Sequence, residues 1–243
     1  MTGAGRRWTA RRATLVAVAL YVALAVASTW PLARRAATTL PLGTDTSATV
    51  PLVSAWALGW TADRVPHGLA GYWAAPIFHP TDDAFALSEP MPLVGLVMAP
   101  VTWLGGAALA HNLWLLLALV LDGVALRGLA RAVGAGPRAA LLAGAGGVLL
   151  PFAHNELGVL ALVPVFGIAW TLQATLAVAR APSARRGALL GIAVGVTYLI
   201  CAQTAVFVVL AAAAPAAWRL RRGLGARATW IAAAAAAAAV AAR

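Results

Sequence analysis

Apolar positions in this chain come in long runs separated by short arginine clusters. The first run, 13–32, follows Arg6, Arg7, Arg11 and Arg12 and predicts a transmembrane helix over 13–33, long enough for the roughly 20 residues a bilayer crossing needs. A second full run, 107–126, ends at Arg127 and Arg131. The run 137–152 leads away from Arg138, and 157–179 returns to Arg180. The run 187–218 lies between two arginine clusters; read as two short crossings broken near Gln203-Thr204, it keeps every cluster on one side. The run 93–104 contains Pro100, stops at Gly105-Gly106 and is short for a crossing, so it is expected to be re-entrant or interfacial. If it crossed, Arg127 and Arg131 would lie on the wrong side. The last run, 228–242, is mostly alanine, falls short of a comfortable span and stops at Arg243, so the chain is expected to be part of a longer protein.

Composition agrees with this pattern. Hydrophobic residues make up 62% and charged residues 10% of the chain, against about a quarter charged in soluble domains. The chain cannot cover itself with a polar surface. The expected fold is an all-α polytopic membrane protein with about 6–7 transmembrane helices and a long extracytoplasmic first loop carrying an interfacial amphipathic helix. The expected layout is an Arg-rich cytoplasmic N-terminus over 1–12, a first span over 13–33, the outer loop over 34–106 and a helical bundle over 107–243. A net charge of +11 could indicate nucleic acid. The arginines instead follow the positive-inside distribution, so a nucleic-acid partner is set aside and the bilayer is the expected partner. A single cysteine, Cys201, excludes an internal disulfide or a cysteine-based metal site.

Five of the seven acidic residues lie in the stretch 41–89. Within it, 50–65 predicts a helix, with Val53, Trp56 and Trp60 on one face. Asp45, in GTDTS just before that helix, is a candidate catalytic base for a sugar hydroxyl, or an N-cap bonded to its own helix. Asp82-Asp83 is a vicinal pair that could ligate a divalent cation through oxygen, or a solvated turn after Pro80. Glu89 sits where the loop re-enters the membrane, where an unpartnered carboxylate is costly, which favours a catalytic role or an ion pair. Arg64 could be its partner, bind a phosphate, or simply end the helix. Glu156, in the short outer tip HNEL, faces the same side as Asp45, with His154 beside it. Trp56 and Trp60 could stack on a sugar or anchor the helix at the interface. Gln203 is a further candidate contact at the proposed outer break. Asp122 lies about two turns or less from Arg127 and is read as structural. No HExxH spacing, Walker loop, dinucleotide fingerprint or nucleophile elbow is present. Glycines 134, 136, 144, 146 and 147 are read as helix-packing positions rather than a phosphate-binding loop.

The segments PLGTDT, VSAWALGW, APIFHPTDDAFALSEP, APVTWLGGAALAHNLWLLL and LLPFAHNELGVLALVPV, in that order, resemble bacterial multi-pass membrane proteins of the GT-C glycosyltransferase-like superfamily. The resemblance covers about residues 28–180. It implies an enzyme of the bacterial plasma (inner) membrane, with its N-terminus cytoplasmic. Such an enzyme takes a sugar from a polyprenyl-phosphate donor to a glycan or lipid acceptor at the outer face. It further implies that an acid in the first outer loop, here Asp45, positions or deprotonates the acceptor, and that Glu89 and Glu156 belong to the same site. The chain departs from the pattern in two respects: it has a single acid at 45 where many members have a pair, and it lacks their C-terminal half. A divalent cation is compatible with this reading and not required by it. The alternative is a non-enzymatic flippase or transporter subunit for a lipid carrier, or a structural membrane protein with a degenerate site.

Overall fold

Helices follow the apolar runs and stop at proline, glycine and threonine. In the computed structural model, which describes residues 3–44, 47–220 and 227–241, every regular element is helical. In chain order these are α1 (Gly3–Ser28), α2 (Thr49–Arg64), α3 (Pro92–Ala132), α4 (Pro137–Val148), α5 (Pro151–Asn155), α6 (Phe166–Arg180), α7 (Ala184–Ile200), α8 (Ala202–Leu220) and α9 (Arg227–Ala241), with short 3-10 turns after α1 and α2 and before α3. Among the described residues two stretches, Arg11–Ser28 and Pro92–Ala132, are long and apolar enough to cross a membrane.

Several boundaries differ from the sequence expectation. The first helix includes the arginine-rich segment and ends at Ser28 rather than at 33. There the Thr29 hydroxyl turns back onto the Ala25 carbonyl at 2.7 Å, and Pro31, which has no N–H to donate, follows. The run 157–165, expected to begin a span, is irregular and largely buried; α6 starts only at Phe166, just past Pro164. The run 93–104 is helical and joins 107–132 through Gly106, whose φ of 83° and ψ of 168° belong to a region essentially reserved for glycine. The break in the 187–218 run falls at Cys201, two residues before the expected position.

Close approach at small residues sets the packing. The Tyr21 ring of α1 lies in a slot made by Gly123 of α3 and Gly144 of α4: a Cβ on Gly123 would lie 3.0 Å from the ring, and one on Gly144 would lie 2.6 Å from the Gly123 carbonyl. The Tyr21 hydroxyl donates to the Leu141 carbonyl at 3.1 Å. Glycines 144 and 147 thus serve packing, as expected, whereas a Cβ on Gly134, Gly136 or Gly146 would meet nothing within 4 Å, so those three do not. Gly95 of α3 serves packing against α2 in the same way, since a Cβ there would lie 2.5 Å from the Thr61 hydroxyl. Asp122, fully buried on α3, accepts the Phe166 N–H at 2.6 Å and so caps the start of α6. A helix N-terminus leaves donors without intrahelical partners, and a carboxylate from a neighbouring helix is a fitting acceptor.

The connectivity also gathers charge. The last turns of α3 and α6 line one groove, and the turns from α3 to α4 and from α6 to α7 are short. Arg131, Arg138, Arg180, Arg185 and Arg186 therefore share one end of the bundle. At the opposite end the start of α3, the α7–α8 junction and the segment after α5 come together around a cavity.

Candidate functional site

Two anchors fix the segment that leads toward Asp45. The Asn112 amide of α3, fully buried, donates to the carbonyls of Ala36 at 2.8 Å and Thr39 at 2.6 Å. Further on, the Asn155 carbonyl accepts both the Thr44 N–H at 2.8 Å and the Thr44 hydroxyl at 3.1 Å. Gly43 makes that contact reachable, with φ at +64° and a Cβ position only 2.9 Å from the Leu157 nitrogen. Asp45 itself lies outside the described residues. Its neighbour Thr44 is thereby bound to the residue preceding Glu156.

The loop between α2 and α3 folds onto the tryptophan face of α2. Trp56 and Trp60 stack at 6.2 Å, Trp56 meets the edge of Phe85 at 5.7 Å, and the Trp60 indole donates to the Tyr72 carbonyl at 2.9 Å. The Tyr72 ring lies between Trp73 and Phe85 at 4.8 and 5.2 Å. Its hydroxyl reaches Thr61 at 3.4 Å and the Pro90 carbonyl at 3.3 Å. Burial pushes the Tyr72 phenol above its ordinary value of 10.0, against a smaller opposite effect of the Thr61 hydroxyl. Phe78, Asp83 and Met91 in this loop have left-handed φ of 54°, 52° and 43°, a conformation that costs a non-glycine residue about a kcal/mol or more.

This folded loop walls one side of a cavity of about 1110 Å³. The first turns of α2 (Thr49, Ser54), residues 86–92, Val159 and Ala161, and the α7–α8 junction from Tyr198 to Gln203 complete it. Glu89 is the one charged residue among the described lining; Tyr72, Trp73, Tyr198, Ser54 and Gln203 provide aromatic surface, hydroxyls and an amide. Aliphatic residues such as Val53, Leu69, Leu87, Met91 and Leu199 make up most of the rest, so the space is largely apolar with a few hydrogen-bonding groups and a single carboxylate.

The predicted site residues divide as follows. Glu89 and Gln203 line the cavity. Glu156, half-buried at the end of α5, is one turn from it, since its carbonyl accepts the N–H of the lining residue Val159 at 2.8 Å. Thr49, four residues after Asp45, also lines it. Thr49, Glu89 and the segment that follows Glu156 thus come together around one space. Arg64 is directed elsewhere: its guanidinium pairs with Asp63 and lies over the Trp60 ring at 4.8 Å. Trp56 and Trp60 hold the loop and are not among the lining residues. His154 places Nδ1 3.2 Å from the Leu150 carbonyl and Nε2 3.0 Å from the Ser28 hydroxyl, tying α5 to the end of α1. Asp82 and Asp83 sit on an exposed turn and are not among the lining residues. No group of three or more metal-ligating side chains occurs among the described residues.

Sequence reasoning missed Tyr72, Trp73 and Tyr198. The Tyr72-Trp73 pair after Gly71 was a usable signal, as aromatic residues clustered in an irregular, proline-rich loop need a surface to cover. Tyr198 had none, being one apolar-run residue among many. No protein-family model, curated protein or solved structure matches the chain.

Proposed function

We propose that the chain is a polytopic protein of the bacterial inner membrane, N-terminus inside, and that it transfers a sugar from a polyprenyl-phosphate donor to an acceptor hydroxyl at the outer face. The observation that carries this reading is the cavity around Glu89, at the end of the bundle opposite Arg131, Arg138, Arg180, Arg185 and Arg186. Positive clusters on the cytoplasmic side and polar loops outside fit the positive-inside rule, and the GT-C resemblance supports the same arrangement. The lipid tail stays among the helices while the sugar occupies the cavity.

The transfer balances simply. The acceptor oxygen attacks the anomeric carbon with inversion, the bond from that carbon to the phosphate oxygen breaks, and the lipid phosphate leaves with the bonding pair. The acceptor proton passes to a carboxylate, a step in which a positioned base contributes about 10²–10⁴-fold. Asp45 is the base that the resemblance implies; Glu89 holds or deprotonates the acceptor within the cavity, and Glu156 borders it. Trp73 offers a partly exposed ring for the sugar face. The donor phosphate sits toward the rim, where water meets its charge.

One observation favours a second reading. The described lining contains no arginine, so the cavity suits holding a lipid-linked sugar as well as cleaving it. A binding or translocating protein for the same ligand would retain the donor without consuming it. Incubating membranes that contain the protein with a panel of polyprenyl-phosphate sugars, and following donor by mass spectrometry, separates the two. Consumption supports transfer, whereas retention without consumption supports carriage.

A further inference from the structure

A second cavity, of about 490 Å³, opens at the arginine end of the bundle. The C-terminal part of α3 with Val133 just beyond it, and the C-terminal half of α6, form its walls through Leu129, Val133, Leu172 and Leu176, with Ala143 of α4 and Ala212 of α8 at the sides. The hydroxyl of Thr175, also in the lining, already donates to the Thr171 carbonyl at 2.8 Å. The groove therefore presents hydrocarbon and gives a polar ligand nothing to bond. Both helices that build it end in an exposed arginine. Arg131 lies between the lining residues Ala130 and Val133, and Arg180 directly follows the lining residue Ala179. Among the described residues the one ion pair is Arg64 with Asp63, and the acid closest in sequence to Arg131, Asp122, is buried on the Phe166 amide.

We infer that this groove binds an anionic phospholipid of the arginine-side leaflet, one acyl chain between α3 and α6 and the phosphate on Arg131 and Arg180. Guanidinium groups match phosphate oxygens in pairs, and basic pockets between membrane helices on the cytoplasmic side recognise anionic headgroups. Hydrocarbon walls whose helices each end in an exposed arginine next in sequence to a lining residue complement a charged head on an alkyl tail. The inference rests on the bilayer placement proposed above, but on neither the sugar nor the transfer.

The test offers the full chain, purified in mild detergent, equal amounts of phosphatidylglycerol and phosphatidylcholine and counts retained lipid by native mass spectrometry. Wild type is expected to keep one phosphatidylglycerol in preference to phosphatidylcholine. Arg131→Gln/Arg180→Gln is expected to weaken that binding about tenfold or more, and Ala143→Trp to exclude lipid of either headgroup. Equal retention of the two lipids by wild type, or an unchanged preference in the arginine double variant, overturns the inference. The arginines are exposed, so that variant keeps the wild-type melting temperature and tests the site even if Ala143→Trp misfolds. Co-flotation of wild type with phosphatidylcholine vesicles reads the bilayer placement separately. Flotation without headgroup preference removes the lipid site alone, and failure to float removes the placement on which it depends.

Discussion

Thr44 is bound through both its N–H and its hydroxyl to the carbonyl of Asn155, 111 residues away. That contact joins the segment before Asp45 to the tip that carries Glu156. It depends on Gly43, whose left-handed φ and lack of a side chain let the backbones meet. Gly43→Ala should separate the two segments and cost about 1–2 kcal/mol from the conformation alone. The expected result is a lower melting temperature in detergent together with reduced donor turnover. Unchanged turnover would mean that the Thr44–Asn155 junction does not shape the site.

Asn112 satisfies two backbone carbonyls with one amide. Asn112→Leu fills similar volume but leaves both carbonyls without their donor, at about 1–3 kcal/mol for each that stays buried. Asn112→Asp is expected to be no better, since an ionised carboxylate accepts and cannot donate. Thermal unfolding followed by tryptophan fluorescence should show both variants clearly below wild type.

At the start of α6, Asp122 accepts the Phe166 N–H. Asp122→Asn keeps an acceptor of the same shape and should stay within about 1 kcal/mol of wild type, whereas Asp122→Ala strands the Phe166 donor and should lose about 1–3 kcal/mol. Comparable losses in the two variants would show that the carboxylate charge, rather than the cap, holds α6.

Tyr72 gives the loop a pH dependence. Its folded-state pKa is raised above the ordinary 10.0 because burial favours the neutral phenol. The stability this contributes is fully present below about pH 10, where unfolded tyrosine is still protonated, and is lost as pH rises from there through the folded value. Melting temperatures measured from pH 8 to 11 should fall more steeply at the alkaline end in wild type than in Tyr72→Phe. Parallel curves would place the phenol in water.

Much of the helical order could be read from apolar runs and their punctuation. The helix predicted over 50–65 is α2 (Thr49–Arg64), and the break expected near Gln203 falls at Cys201. Periodicity failed at 157–165, where hydrophobic composition is the same for a helix and for a buried irregular segment; Gly158 and Pro164 were the stronger signals. The tryptophan face of α2 was identified correctly as a face but not for its covering. Nothing in its spacing indicates that Tyr72 and Phe85 close over it while the small face of α2, with Ala57 and Thr61, meets α3. Glu89 stood out because a lone acid beside an apolar run is unusual. The cavity it lines joins residues more than a hundred positions apart, and only tertiary contact brings Tyr198 and Gln203 to it.

The most direct test of the cavity as the site of sugar transfer is donor consumption by Glu89→Gln beside wild type. Asp45→Asn runs in parallel, with all three proteins present at equal levels in membranes. The account predicts that wild type consumes a polyprenyl-phosphate sugar and that Glu89→Gln is slower by about 10²-fold or more, while its melting temperature is unchanged because the carboxylate lies on an open wall. Consumption by Glu89→Gln at the wild-type rate, or no consumption of any donor by wild type, would contradict it.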